Sequence, residues 1–214
     1  MKILIVSDIH YSLKQFDWLL KVAHKFDLIV IAGDLLDVGG GASFDAQIIV
    51  VIKYITRLQR ITQLILCSGN HDLDTRDGDG EKVCNWVNTI KDIGVFCDGD
   101  GITIDGYFIS IFPWWDGQNN KSKISRQIEL QSRQADNLHW VWIHHAPPSE
   151  SATSWSGKAS FGDNDILQQI LRYSPEIVIS GHIHQSPFAK AGSWIDKLNN
   201  TWCFNAGRQI GAPP

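Results

Sequence analysis

The chain has 214 residues, 43% hydrophobic and 20% charged, with a net charge of −4; it is long and apolar enough to bury a sizeable core, which excludes disorder and fibrous structure. The acidic balance gives no strong nucleic-acid signal, because a general nucleic-acid binder carries a basic surplus. Cys67, Cys84, Cys97 and Cys203 are widely spaced and form no Cys-x-x-Cys pair, so they read as free thiols in a reducing compartment rather than a zinc site or disulfide frame. The opening Met1-Lys2-Ile3-Leu4-Ile5-Val6 is too short for a signal core or a membrane span. A single cytoplasmic domain over 1–214, with no membrane partner, is expected.

Taken in order, 2–7 predicts a strand buried on both faces. If the chain stays extended through its end, Asp8 and His10 point the same way. Leu13, Phe16, Leu20 and Ala23 have helical spacing, with Ser12 as cap. A strand over 28–32 ends at Gly33-Asp34, a helix follows over 45–60, and a third strand over 63–67 completes a β-α-β-α-β run with parallel pairing. Residues 73–80 are acidic and Gly-rich but lack the closing Glu of a calcium loop, and read as a surface loop. A helix is expected over 81–93.

From there the pattern turns antiparallel. Short strands at 95–96, 101–104 and 107–112 are predicted, the last two joined by Asp105-Gly106, a hairpin signal because that turn needs positive φ. Phe112-Pro113-Trp114-Trp115-Asp116 is an aromatic cluster, placing Trp115 and the 149–161 loop as cover for a substrate. Helices over 124–135 and 165–173, the second capped by Asp163 or Asn164, alternate with strands at 140–143, 177–180, 192–198 and 201–205. This order implies an α/β fold in which two mixed β-sheets pack face to face with helices outside, the polar loops gathering at the strands' carboxyl ends.

Five of those strand ends carry unusual polar groups: Asp8-Ile9-His10, Gly33-Asp34, Ser68-Gly69-Asn70-His71-Asp72, His144-His145 and Gly181-His182-Ile183-His184. Amides, imidazoles and carboxylates beside buried strands are costly to fold because each needs a partner or water, and their recurrence points to a site. Asp8, His10, Asp34, Asn70, His144 or His145, His182 and His184 supply the ligands that two divalent ions need, with Asp34 as the simplest bridge. Oxygen and imidazole donors without thiolate favour manganese, with iron or zinc as alternatives. His24 and His139 are given structural roles, and Asp37, on the Asp34 loop, is assigned to loop structure.

In order, these segments together with Ala146-Pro147-Pro148 after His145 resemble the five motifs of the calcineurin-like metallophosphoesterase family, from residue 5 to about 207. The resemblance implies a four-layer α-β-β-α sandwich. It implies one metal on Asp8, His10, Asp34 and His184 and a second on Asp34, Asn70, His145 and His182, and it favours His145 over His144 through its His-x-Pro-Pro motif. Hydroxide held between the ions would attack a small phosphoester substrate in line, phosphodiester more than monoester. His71 would protonate the leaving group, Asp72 would fix its tautomer, and Asn70, His71 and Arg208 would contact the phosphate. The family's protein phosphatases carry an Arg in the second motif, absent here. A non-catalytic metal-binding scaffold and a nuclease of the same family are the alternatives.

Overall fold

Strand β2 (Leu28–Ala32) is buried along its whole length, and because successive side chains alternate, it needs an apolar layer on each side. Both layers are present in the computed structural model, which describes residues 1–208. Ile29 and Ile31 face Phe16 and Leu19 of helix α1 (Leu13–Val22) and Val51 and Ile55 of helix α2 (Phe44–Gln59). Leu28, Val30 and Ala32 face a second sheet through Ile109, Ile111, Val141 and Ile143. β2 lies between β1 (Ile3–Val6) and β3 (Gln63–Cys67) in a wholly parallel three-stranded sheet. β1 is therefore an edge strand, and the expectation that both its faces are buried fails, Ile3 being 41% exposed.

The second sheet has six strands in the order β10 (Ile195–Leu198), β11 (Thr201–Asn205), β9 (Ile177–Ser180), β8 (His139–Ile143), β7 (Tyr107–Ile111), β6 (Gly101–Ile104). Its four central strands are parallel and its two edge pairs antiparallel. Trp140 and Trp142, alternating with Val141 and Ile143, point outward and pack with Ile124 and Ile128 of α4 (Gln118–Ser132) and Ile166 and Ile170 of α5 (Asn164–Tyr173). Helices, sheet, sheet and helices thus form the expected four layers. The Asp105-Gly106 turn has φ of 49° and 83°, as the hairpin requires.

The helix expected over 81–93 is largely absent. Its N-terminal half is taken by a small hairpin, β4 (Thr75–Arg76) with β5 (Lys82–Val83), and only α3 (Asn88–Lys91) is helical. The backbone there bonds to distant side chains: Lys82 N–H donates to Asp116 and Asn85 N–H to Asp74. Glu81 leaves the segment to accept from the N–H groups of Asn119 and Asn120, at 2.8 and 2.7 Å. That remote cap is why α4 begins at 118 rather than 124. The expected 73–80 loop thus contains β4 and the start of the turn that leads to β5, tied by Asp77 and Asp79 to Lys123.

Candidate metal centre

The carboxyl ends of β1, β2, β3, β8 and β9 meet at one edge, where the two sheets are laced together by loop hydrogen bonds. Asp8, His10 and Tyr11 donate their N–H groups to the carbonyls of Gly33, Asp34 and Leu35 at 2.8–3.0 Å. Gly181 N–H donates to His145 carbonyl at 2.9 Å, and His182 N–H reaches both Asp8 carboxylate oxygens at 3.1–3.2 Å. Asp8, His10, Asp34 and His182 all have φ between 44° and 66°, the left-handed region that non-glycine residues avoid. Asp8 and His10 therefore converge through a tight turn, not through the extended backbone the sequence implied.

Three ring nitrogens converge on two carboxylates. His184 Nε2 lies 3.2 Å from Asp8 Oδ1 and 3.1 Å from His10 Nε2, while His10 Nε2 is 3.6 Å from Asp34 Oδ2. On the other side of Asp34, His145 Nε2 stands 3.2 Å from the same Oδ2, and His182 Nδ1 is 3.0 Å from Asn70 Oδ1. Asp8, His10, Asp34 and His184 form one group able to hold an ion; Asp34, His145 and His182 form another. Asp34 belongs to both. Its Oδ1 accepts from His71 N–H at 2.8 Å, leaving Oδ2 to the imidazoles.

The donor chemistry fits a cation. His145 Nδ1 donates to Ala32 carbonyl at 2.6 Å, so its Nε2, fully buried and 3.2 Å from Asp34 Oδ2, faces that carboxylate with either a proton or, when deprotonated, a lone pair. The lone-pair form is repulsive unless a cation lies between, and without one the ring keeps its proton. Burial alone would depress the His145 pKa, but Asp34 and Asp8 raise it to about 9. Burial and the neighbouring His145 instead lower His182 to about 4. Asp8 and Asp34 are opposed by burial yet held below the usual carboxylate range, by His10 and His184 for Asp8 and by His145 for Asp34.

Space is as tight as charge. A Cβ on Gly69 would sit 2.2 Å from Asp34 Oδ1, and one on Gly33, at φ +86°, 2.4 Å from His145 Nδ1. His144, left open beside His145, points away: it is fully buried, tilted against Trp115 at 4.6 Å between ring centroids, and burial lowers its pKa to about 3. The structure also puts Trp114, and not Trp115, beside the centre. Trp115 is 7% exposed and packed in the outer core, whereas Trp114 stands 5.1 Å from the His182 ring and 5.6 Å from His145.

Asp72 requires a correction. Its carboxylate makes no hydrogen bond to the His71 ring and accepts four backbone N–H groups, from Asp34 and Gly69 on Oδ2 and Leu35 and Leu36 on Oδ1, at 2.8–3.0 Å. It ties the Asp34 loop to the Asn70 loop from beneath. Burial, then the charge of Asp34, push its pKa up, while the N–H donors oppose them. His71 Nδ1 is buried without a partner, its ring is edge-on to His10 at 4.5 Å, and burial lowers its pKa. Besides Asp34, the carboxylate near it is Asp37, which with His10 and His71 forms a third group within 4.8 Å. The sequence signal was available, three positions after Asp34 on the same loop. Arg208 donates its N–H to His184 carbonyl at 3.2 Å, placing it at the rim.

A family model described as calcineurin-like phosphoesterase matches residues 1–186. A UPF0046 protein of Caenorhabditis elegans is 24% identical over 225 residues, covering all of this chain and 73% of the worm protein. Among solved structures, the TT1561 protein of Thermus thermophilus superposes with a TM-score of 0.66 at 11% identity, covering 96% of this chain and 88% of that one. Purple acid phosphatase PPD1 of yellow lupin (Lupinus luteus) gives 0.53 at 15% identity, covering 86% of this chain and 38% of the phosphatase. At these identities the two structures share the fold alone.

Proposed function

The chain belongs to the calcineurin-like phosphoesterase family, and from that premise we propose that it is a dinuclear metal-dependent phosphoester hydrolase acting on a small substrate, a phosphodiester in preference to a monoester. Asp34, shared between two groups of buried imidazoles, is the observation that carries the two-ion reading. In it, Asp8, His10, Asp34 and His184 would hold one ion and Asp34, Asn70, His145 and His182 the other, with manganese preferred over iron or zinc. Divalent ions there would acidify water and polarise phosphoryl oxygens.

The chain's own groups do the rest. Asn70 and Arg208 bind and orient the phosphate, whose negative charge an amide donor and a guanidinium suit. His71, half-buried and off the ligand set, hands a proton to the departing alkoxide. Asp37 replaces Asp72 as the carboxylate near that imidazole, and Asp72 positions both loops. The four free thiols support a reducing, cytoplasmic setting; among the described residues no helix is long and apolar enough to cross a membrane.

The test is turnover of bis-p-nitrophenyl phosphate and p-nitrophenyl phosphate by manganese-loaded protein. Diester cleavage above monoester cleavage is expected. The reverse order would replace the diesterase by a phosphatase, and silence with metal bound would favour the scaffold reading.

A further inference from the structure

The tryptophans that fill the cores, Trp86, Trp115, Trp140 and Trp142, are at most 7% exposed. Trp114 is different. It is only half-buried, and its ring borders two imidazoles of the second candidate ion group, 5.1 Å from the His182 ring and 5.6 Å from the His145 ring. Its indole N–H makes no hydrogen bond among the described residues and yet is not buried, so that edge of the ring reaches solvent. His182 and Asn70, in contact at 3.0 Å, are half-buried too. An apolar ring and two metal-ligand candidates thus reach solvent side by side.

Trp114 is also fixed in place. Its backbone N–H donates to Ser68 Oγ at 3.0 Å, and Ser68, two positions before Asn70, has its own N–H on Asp98 at 2.8 Å. The buried His144 ring lies 6.3 Å from the indole and within 7° of parallel to it. The ring is therefore oriented before a ligand arrives, and a group laid against it costs little in ordering entropy.

We propose that Trp114 is the stacking platform for the organic portion of the substrate, and that this portion is a nucleoside. The proposal rests on the phosphoesterase reading and adds the substrate class. An ion held by Asn70, His145 and His182 would bring the phosphate within about a ring's breadth of Trp114, and the rest of the ester has to start from there. An aliphatic alcohol gains only buried area from an indole, whereas a purine or pyrimidine also matches its flat π-face and needs no base-specific hydrogen bond to do so. The net charge of −4 works against the many phosphates of a polymer, and much less against the single phosphate of a nucleotide.

Adenosine 5′-monophosphate and ribose 5-phosphate share a sugar and a phosphate and differ in the base, so their binding to manganese-loaded protein, measured by calorimetry, tests the proposal. The nucleotide is expected to bind at least about fivefold tighter, the low end of what one base–aromatic stack provides. Trp114→Leu should bring the two ligands within about twofold of each other. Trp114→Phe, which keeps a ring, should retain most of the difference, with elemental analysis of both variants showing that the ions are still bound. Equal affinities in the wild type, a difference that survives Trp114→Leu, or binding of neither ligand would overturn the proposal. Turnover of bis-p-nitrophenyl phosphate by the same wild-type preparation reports on the phosphoesterase reading separately. Turnover with equal affinities keeps that reading and discards the platform, while silence with a Trp114-dependent preference for the nucleotide keeps the platform and discards the hydrolase.

Discussion

His71 and Asp72 are neighbours in the chain, and their environments assign them different tasks. His71 offers the centre an imidazole whose Nδ1 has no partner, so His71→Ala is expected to keep the bound metal while slowing cleavage of an ester with a poor leaving group by roughly 10²–10⁴-fold. Metal analysis beside the rate constant checks this, and normal turnover would remove His71 from the mechanism. Asp72 is spent on four N–H groups. An amide has one acceptor oxygen in place of two, so Asp72→Asn should leave two of those donors unmet and cost roughly 3 kcal/mol. Urea unfolding measures that loss, and metal affinity should fall with it because the Asp34 and Asn70 loops lose their tie. An unchanged midpoint would show that the tie is dispensable.

At the scale of elements, local chemistry explains what formed in place. The Asp163 side chain accepts from the N–H groups of Asp165 and Ile166 at 2.7 and 3.0 Å, the cap that the sequence predicted for α5. Asp163→Ala should cost about 1 kcal/mol, read as a lower urea midpoint at unchanged slope, with the metal centre undisturbed because α5 packs on the far face of the second sheet. α4 and the 81–93 segment went the other way. Glu81 reads as the start of a helix, yet its carboxylate caps α4, 38 and 39 positions away in sequence. No local window of sequence contains that bond, which is why sequence patterns overstate one helix and start the next too late.

For the whole molecule, the two sheets are clamped along one edge by charges that need a cation. Without metal, the His145 proton does that work. Its pKa rises from 6.5 unfolded to about 9 folded, so its contribution is fully present below pH 6.5 and is lost as pH climbs through 9. Metal-free protein is therefore expected to lose several degrees of Tm between pH 6.5 and 9. Manganese should raise Tm, by about 2.7 kcal/mol in stability at a hundredfold excess over its Kd, and flatten that slope. A thermal melt series with and without chelator checks both signs; a metal-free Tm that rises with pH would contradict the geometry around Asp34.

The sequence by itself determined the layered fold and placed the polar groups that converge at one edge of it. Alternation within Leu28–Ala32 and the polar groups at five strand ends are local patterns, written wherever a buried strand meets solvent. Only the tertiary structure decided between Trp114 and Trp115 and between Asp37 and Asp72 as the neighbour of His71, and it turned His144 away from the centre, leaving there the His145 that the His-x-Pro-Pro resemblance favours. In each pair the residue types are alike or the positions adjacent, so composition and spacing cannot separate them. The direction of a side chain at a strand end depends on the backbone turn it sits on and on which distant loop fills the space beside it, and both are set when the sheets pack.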